Sequence, residues 1–343
     1  MAQALAGSRV KAIAAFLLLV SACPCGAQTE AEKLIAAGHW KRARALVDPR
    51  QSHDALTQFL LSQIRNAFGD RDSPLPLAEK AVLLDARVGK YHRQVAEVTG
   101  VMAQHSGLVQ QLLLARRFRH EIEIALSLDP RDLQAWRDLL EFYLLAPGIV
   151  GGDKEKARAT AARIARVDAV EGYLGQARVA EANGDWPRQE AMLRKAVEAG
   201  RSQYRARIAL AQFLLARGQM DAAREQAVIA MNIDSTRVDS YTVLAELYAW
   251  RGQKNELEAL LTAADRQVPD DLSPYFRAAE VLLSEGRELD RAQQYFRRYL
   301  AAEPEGNAPT WPDARGKLEL VLAKRREFSG TSAVPAPGSG PAR

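Results

Sequence analysis

Between residues 170 and 305 the apolar positions fall into pairs of helical stretches, and the pairs recur at a fixed step. In one unit Leu210, Ala211 and Leu214 stand at helical spacing ahead of Gly218, and Ala223, Ala227 and Ala230 follow at the spacing of a second helix. Gly218 sits where the first helix must end, a place that favours a residue with positive φ and no Cβ. Asp221 is expected to cap the second helix. The next unit repeats the layout with Tyr241, Leu244, Ala245, Tyr248, Gly252, Leu261, Ala264 and Pro269, and proline cannot continue the helix. The last has Tyr275, Ala279, Leu282 and Gly286. After Gly286 one inserted residue puts Ala292, Phe296 and Tyr299 a place late before Pro304. Gly184, Gly218, Gly252 and Gly286 lie 34 residues apart, and Ala177, Ala211, Ala245 and Ala279 each precede their glycine by seven. Such a period predicts stacked helix–turn–helix units. An array of this kind offers an extended surface rather than a preformed catalytic cleft.

Upstream the pattern loosens. Gly38 and Ala43 fit one partial unit, and Ala78, Val82 and Asp85 fit the second helix of another. Trp136, Leu139, Leu140 and Tyr143, followed after a longer loop by Gly152 and Ala157, fit a third. Between them Tyr91, Val95, Val98 and Met102 predict one helix. Leu112, Leu113, Phe118, Ile122 and Leu126 predict a second, longer one ending before Pro130. The loop from Ala146 to Lys154 has the glycines of a phosphate loop. No Ser or Thr follows Lys154 and no strand pattern precedes it, so it reads as an elongated inter-helix turn, with a binding role at the rim as the other reading. Trp311 to about Phe328 reads as a lone amphipathic helix with Leu318, Leu320, Val321 and Leu322 on its apolar side, suited to cap the end of the array. Residues 329–343 are rich in Gly, Ser, Pro and Ala and are expected to be disordered.

The order large residue, Leu, Ala, large residue, Gly, Ala, large residue, Ala, Pro resembles the tetratricopeptide repeat family, closely over residues 170–305 as four repeats and loosely over 28–169. Arg207, where the family prefers a large aromatic, and Gln189, where a small residue of the second helix belongs, depart from the pattern. The resemblance implies an all-α, right-handed superhelical solenoid of about seven helical hairpins, with a capping helix over 306–328. In that family the second, fifth, ninth and twelfth positions of each first helix line the concave face. Carried over, these include Leu174, Arg178, Arg205, Ile208, Gln212, Leu215, Thr242, Glu246, Phe276, Glu280 and Leu283. An apolar stripe is expected through Leu174, Ile208, Leu215, Phe276 and Leu283, edged by charges that turn acidic toward the C-terminal end. Such a groove suits a protein segment with apolar anchors and a basic residue. The other reading is that these residues cover the inner wall of the array or dock the C-terminal helix. The Lys/Asn/Arg set with which some family members grip a peptide carboxylate is absent.

Charge and leader narrow the picture. The 47 basic and 42 acidic residues give a net +5, and Arg9 and Lys11 belong to the leader, so no nucleic-acid partner is expected. The basic runs Arg116–Arg117–Phe118–Arg119 and Lys324–Arg325–Arg326 read as solvated faces, with phosphate or anionic lipid as the alternative. Arg9 and Lys11 precede an apolar run, Ala12 to Val20, too short to span a bilayer, which predicts an export signal. Val20–Ser21–Ala22–Cys23 resembles a bacterial lipobox that would lipidate Cys23. Alternatively, Cys25–Gly26–Ala27 precedes a cut at Gln28. Either way the expected place is the bacterial periplasm, free or as a periplasm-facing membrane lipoprotein. His39, His53, His92, His105 and His120 form no pair with metal-ligand spacing, and no Gly-x-Ser-x-Gly elbow occurs. No metal, cofactor or catalytic residue is therefore expected. The sequence points to an interaction scaffold or assembly factor with a protein or peptide partner. A self-associating envelope protein is the alternative, and an enzyme or ligand-binding protein using loop 146–154 a minor one.

Overall fold

The structure is a computed structural model that describes residues 24–47, 54–200 and 203–331. The apolar leader run, the lipidation candidate Cys23 and residues 332–343 lie outside the described residues. Among the described residues there are seventeen α-helices and no strand. They form eight hairpins, one more than the sequence suggests: α1 (Pro24–Ala37) with α2 (Trp40–Leu46), α3 (Ala55–Ala67) with α4 (Pro74–Leu84), α5 (Gly89–Gln104) with α6 (Leu108–Leu128), and α7 (Leu133–Leu145) with α8 (Lys154–Val167). The regular units follow: α9 (Ala169–Ala182) with α10 (Trp186–Ala199), α11 (Tyr204–Ala216) with α12 (Met220–Ile233), α13 (Val238–Arg251) with α14 (Lys254–Gln267), and α15 (Ser273–Ser284) with α16 (Leu289–Leu300). Then comes α17 (Trp311–Thr331), whose last three residues lie in the segment expected to be disordered. The fold is an all-α, right-handed repeat solenoid. None of the described helices is long and apolar enough to cross a membrane.

The phased residues do what their period implies. Gly184, Gly218, Gly252 and Gly286 have φ of 68°, 72°, 65° and 64°, the left-handed conformation that ends each first helix. Ala177, Ala211, Ala245 and Ala279 are buried where the paired helices approach. Asp168 and Asp185 cap α9 and α10 by accepting from the backbone N–H of Glu171 and Arg188. Asp221 does not cap: Gln219 occupies the N-cap of α12, and Asp221, one residue inside the helix, pairs outward with Arg251 at 2.7 Å.

One apolar core runs from Ala177 through α16 into Ala314 and Val321 of α17. Only part of the expected apolar side of α17 faces it. Val321 is buried while Leu320 is exposed, because neighbouring residues on a helix point about 100° apart. The loop between α7 and α8 is a structural turn. Gly151 has φ 109°, and a Cβ on Gly152 would meet the Ala146 carbonyl oxygen at 1.7 Å. Asp153 caps α8, and Lys154 donates to the Asn183 side chain at 3.1 Å.

The first hairpins meet the far end of the array at the loops that precede α15 and α17. The backbone N–H of Lys41 donates to Glu305 at 2.8 Å, and its ammonium donates to the carbonyl of Asp270 at 2.7 Å. Arg42 pairs with Asp270 at 2.6 Å, and Arg44 grips Glu303 with two bonds of 3.0 and 2.6 Å. Asn307 N–H reaches the carbonyl of Ala67 at 2.8 Å, and Gly306 lies against Trp40 so closely that a Cβ would come within 2.6 Å of the indole.

Candidate functional site

The concave face holds a cavity of about 920 Å³ where α7, α9 and α11 present their inner sides, bordered by the start of α10 and by Ala36 at the end of α1. Its polar lining is an ion network that crosses repeats. The carboxylate of Glu171 accepts from Arg137 at 3.0 Å and from Arg205 at 2.6 Å, one partner from the unit before and one from its own unit's successor. Arg178 grips Glu141 with bonds of 2.8 and 2.9 Å and lies 3.4 Å from Glu181. Arg217 stands over the ring of Trp186, and Arg237 over that of Tyr204 at 4.4 Å.

Environment tunes these charges. Burial lowers Arg205, and the nearby charge of Arg137 adds to that; the shared Glu171 opposes both. Burial also works against the charge of Arg178, but its hydrogen bonds to Glu141 outweigh it and the guanidinium ends above its ordinary value. Burial pushes Asp138 up to about 7; Arg93 opposes the shift and Glu97 reinforces it. Two arginines therefore share one carboxylate, and a second acid in the lining is half-neutral near pH 7. The five arginines of the lining outweigh its acids.

Three buried polar atoms on this lining have no hydrogen-bond partner among the described residues: Gln189 Oε1, Arg237 Nε and Asp138 Oδ2. Buried polar atoms are paired in the great majority of cases, and five more such atoms lie elsewhere among the described residues, at Arg93, Gln94, Gln253, Arg287 and Glu305. Gln189 is the position that departs from the repeat pattern, standing where the next unit has Ala223. The other departure, Arg207, donates to Gln226 at 2.8 Å and keeps the hairpin closed by a polar contact.

The sequence-derived groove residues divide. Leu174, Arg178, Arg205 and Gln212 line the cavity together. Ile208, Leu215, Phe276 and Leu283 are buried core, and of the expected apolar stripe Leu174 alone lines the cavity. Phe276 packs edge-on against Phe296 at 5.5 Å and tilted against Tyr299 at 5.2 Å. The reason is helical phase. These four buried residues lie three before or four after their phased alanine, on the side turned toward the second helix; Leu174, at the same phase, sits at the edge of that face and is half-buried. Thr242 donates its hydroxyl to the Val238 carbonyl. Burial raises the carboxyl of Glu246; Arg277 opposes the shift and Glu280 adds to it. The acidic C-terminal end of the groove is occupied: Glu280 pairs with Arg277 at 3.0 Å and with Lys317 of α17 at 2.9 Å, and Lys324 donates to the Leu283 carbonyl. Sequence reasoning missed Arg137, Asp138 and Glu141, which lie in the unit where the long loop shifts the register.

Neither a protein-family model nor a curated protein matches the chain. Solved structures do. Yeast Tom70 is similar over 90% of this chain and 65% of its own, at 14% identity and a TM-score of 0.60. A thermophilic TPR protein of Thermus thermophilus is similar over 56% of this chain and 99% of its own, at 16% identity and a TM-score of 0.49. A tetratricopeptide repeat protein of Parabacteroides merdae is similar over 87% of this chain and 98% of its own, at 11% identity and a TM-score of 0.46. At its low identity the likeness to Tom70 establishes the fold alone, a tetratricopeptide-type solenoid.

Proposed function

We propose that this protein binds a segment of a partner protein in the concave cavity of α7, α9 and α11, and that the segment presents an acidic group to Arg205, Arg217 and Arg237. The observation that carries this reading is the cross-repeat network in which Arg137 and Arg205 share the single carboxylate of Glu171, beside the unpartnered buried donor Nε of Arg237. A ligand carboxylate would complete the charge balance and gain charge-assisted bonds. This changes the partner chemistry expected from sequence, where apolar anchors and a basic residue were indicated. A photo-crosslinking residue in place of Gln212, with Arg224 on the outer face as control, tests it in cells. One dominant adduct from Gln212, lost on Arg205→Glu and weakened by Arg217→Ala, is the expected result. Equal labelling from both positions, or an adduct that is the chain itself, rejects it, and the second outcome turns the reading to self-association.

We also propose that the partner is met outside the cytoplasm. The support is Arg9, Lys11 and the apolar run from Ala12 to Val20. A mass spectrum of the N-terminus decides it: a diacylglyceryl group on Cys23 or a chain starting at Gln28 agrees, and an intact leader does not.

A further inference from the structure

The hairpin α5–α6 breaks the common length. Helix α6 has 21 residues where α8, α10, α12 and α14 have 14, which makes it about 10 Å longer. The extra length lies at its N-terminal end. Arg117, in its third turn, pairs with Glu79 in the second turn of α4, and Phe118 stacks on Phe142 in the last turn of α7. The first two turns of α6 therefore run past the end of α7 and project, with the loop from α5, as a tip.

The tip is apolar where it meets solvent. Leu108 is 71% exposed, Val109 75% and Leu113 55%. The sequence pattern put Leu113 on the packed face, but Leu114 holds that place and Leu113 points outward. Behind the aliphatic residues stand Arg116, Arg117 and Arg119. Arg117 and Arg119 are paired with Glu79 and Glu123, while Arg116 is exposed and makes no ion pair among the described residues. From Val98 to His120 the chain has no Asp or Glu, in a protein with 42 acidic residues.

A convex point of exposed aliphatics followed one turn later by cations of a single sign is the reverse of a protein-binding groove. It matches the layering of an anionic bilayer, in which the apolar tip enters the interfacial region and the arginines meet the headgroups behind it. Long basic side chains keep their charge in the polar layer while their stems cover apolar surface. We propose that the α5–α6 tip docks the protein on a membrane containing anionic lipids, with Leu108, Val109 and Leu113 at the interface and Arg116 at the headgroups. The proposal does not depend on the concave cavity.

A reporter confined to the tip tests this in the full chain, so that binding by the leader or by a lipid on Cys23 cannot imitate it. Val109→Cys, in a Cys23→Ser and Cys25→Ser background, carries a polarity-sensitive fluorophore. The control label is on Glu225→Cys, on the exposed outer surface. With phosphatidylcholine vesicles containing phosphatidylglycerol, the label at 109 is expected to shift to the blue and to resist aqueous quencher, while the label at 225 does neither. Leu108→Ser with Leu113→Ser should weaken the response at least about tenfold. Arg116→Gln should weaken it less, and added salt should mimic that change. No shift at 109, or equal shifts at both labels, overturns the proposal. A shift that grows with protein concentration in the absence of lipid also overturns it, and assigns the tip to a second copy of the chain.

Discussion

The two halves of the solenoid contain the same kind of hairpin and hold it together differently. From α9 onward the phased alanines and most large residues merge into one apolar core that continues into the capping helix, with two small clusters beside it around Val170 and Tyr204. From α1 to α8 the apolar residues fall into separate clusters, one around Phe59 and Leu60, one around Ile122 and Leu139, one around Ile164. Between them lie buried polar side chains. Gln94 donates to Ser62, Ser62 donates to the carbonyl of Pro74, and the Oε1 of Gln94 is unpartnered among the described residues. Polar contacts of this sort fix geometry but add little net stability, whereas continuous apolar burial couples each unit to the next. Regular spacing in sequence thus corresponds to cooperative packing, and irregular spacing to local packing.

The largest break in this contrast comes from the continuous core. Phe296→Ala, at a fully buried ring that packs on Phe276, should cost about 3–5 kcal/mol. Hydrogen exchange should then quicken together across α11–α17 while α3–α5 keep their protection. Quickening confined to α15 and α16 would show that the core is not one unit.

A smaller effect sharpens the polar side of the comparison. Burial lifts the carboxyl of Asp138 from its ordinary 3.8 to about 7, so the folded state holds its proton more tightly than the unfolded chain. Its contribution to stability is fully present below about pH 4 and is lost as pH rises through about 7. Asp138→Asn should flatten the decline between those values and leave the variant more stable than the parent at pH 8, by about 2 kcal/mol. Denaturant melts at several pH values read this directly, and parallel curves for the two proteins would refute it.

The smallest effect isolates backbone from packing. At Gly218, with φ 72°, a Cβ meets nothing within 4 Å, so Gly218→Ala tests the left-handed turn alone. A loss of about 1 kcal/mol in thermal unfolding is expected. A neutral or stabilising change would mean that the turn relaxes out of that conformation.

Much of this was legible in the chain. Glycines 34 residues apart set the hairpins, the alanines seven places ahead set their packing faces, and Gln189 was already visible as a departure. What failed was the reading of Phe276, Leu283, Ile208 and Leu215 as groove wall, although their spacing of three and four from the phased alanines places them on the buried side. The projecting tip left only a faint trace, because Leu112, Leu113 and Leu114 offer three neighbouring candidates for one packed face. The meeting of the two ends was beyond reach. Arg42 with Asp270 and Arg44 with Glu303 are ordinary surface charges more than 200 residues apart, brought together only by the accumulated rotation of every hairpin between them.

That meeting gives the repeat number a meaning it lacks in most such arrays. An open solenoid can lengthen by duplicating a unit, and its two ends never register the change. Here Trp40 rests on Gly306 and Lys41 reaches Glu305 only because seven hairpins, α3–α16, neither six nor eight, lie between them. A gene duplication or deletion of one unit would leave a step in the ring with unmatched charges on both sides. The protein is therefore closed to the simplest route by which repeat arrays change size.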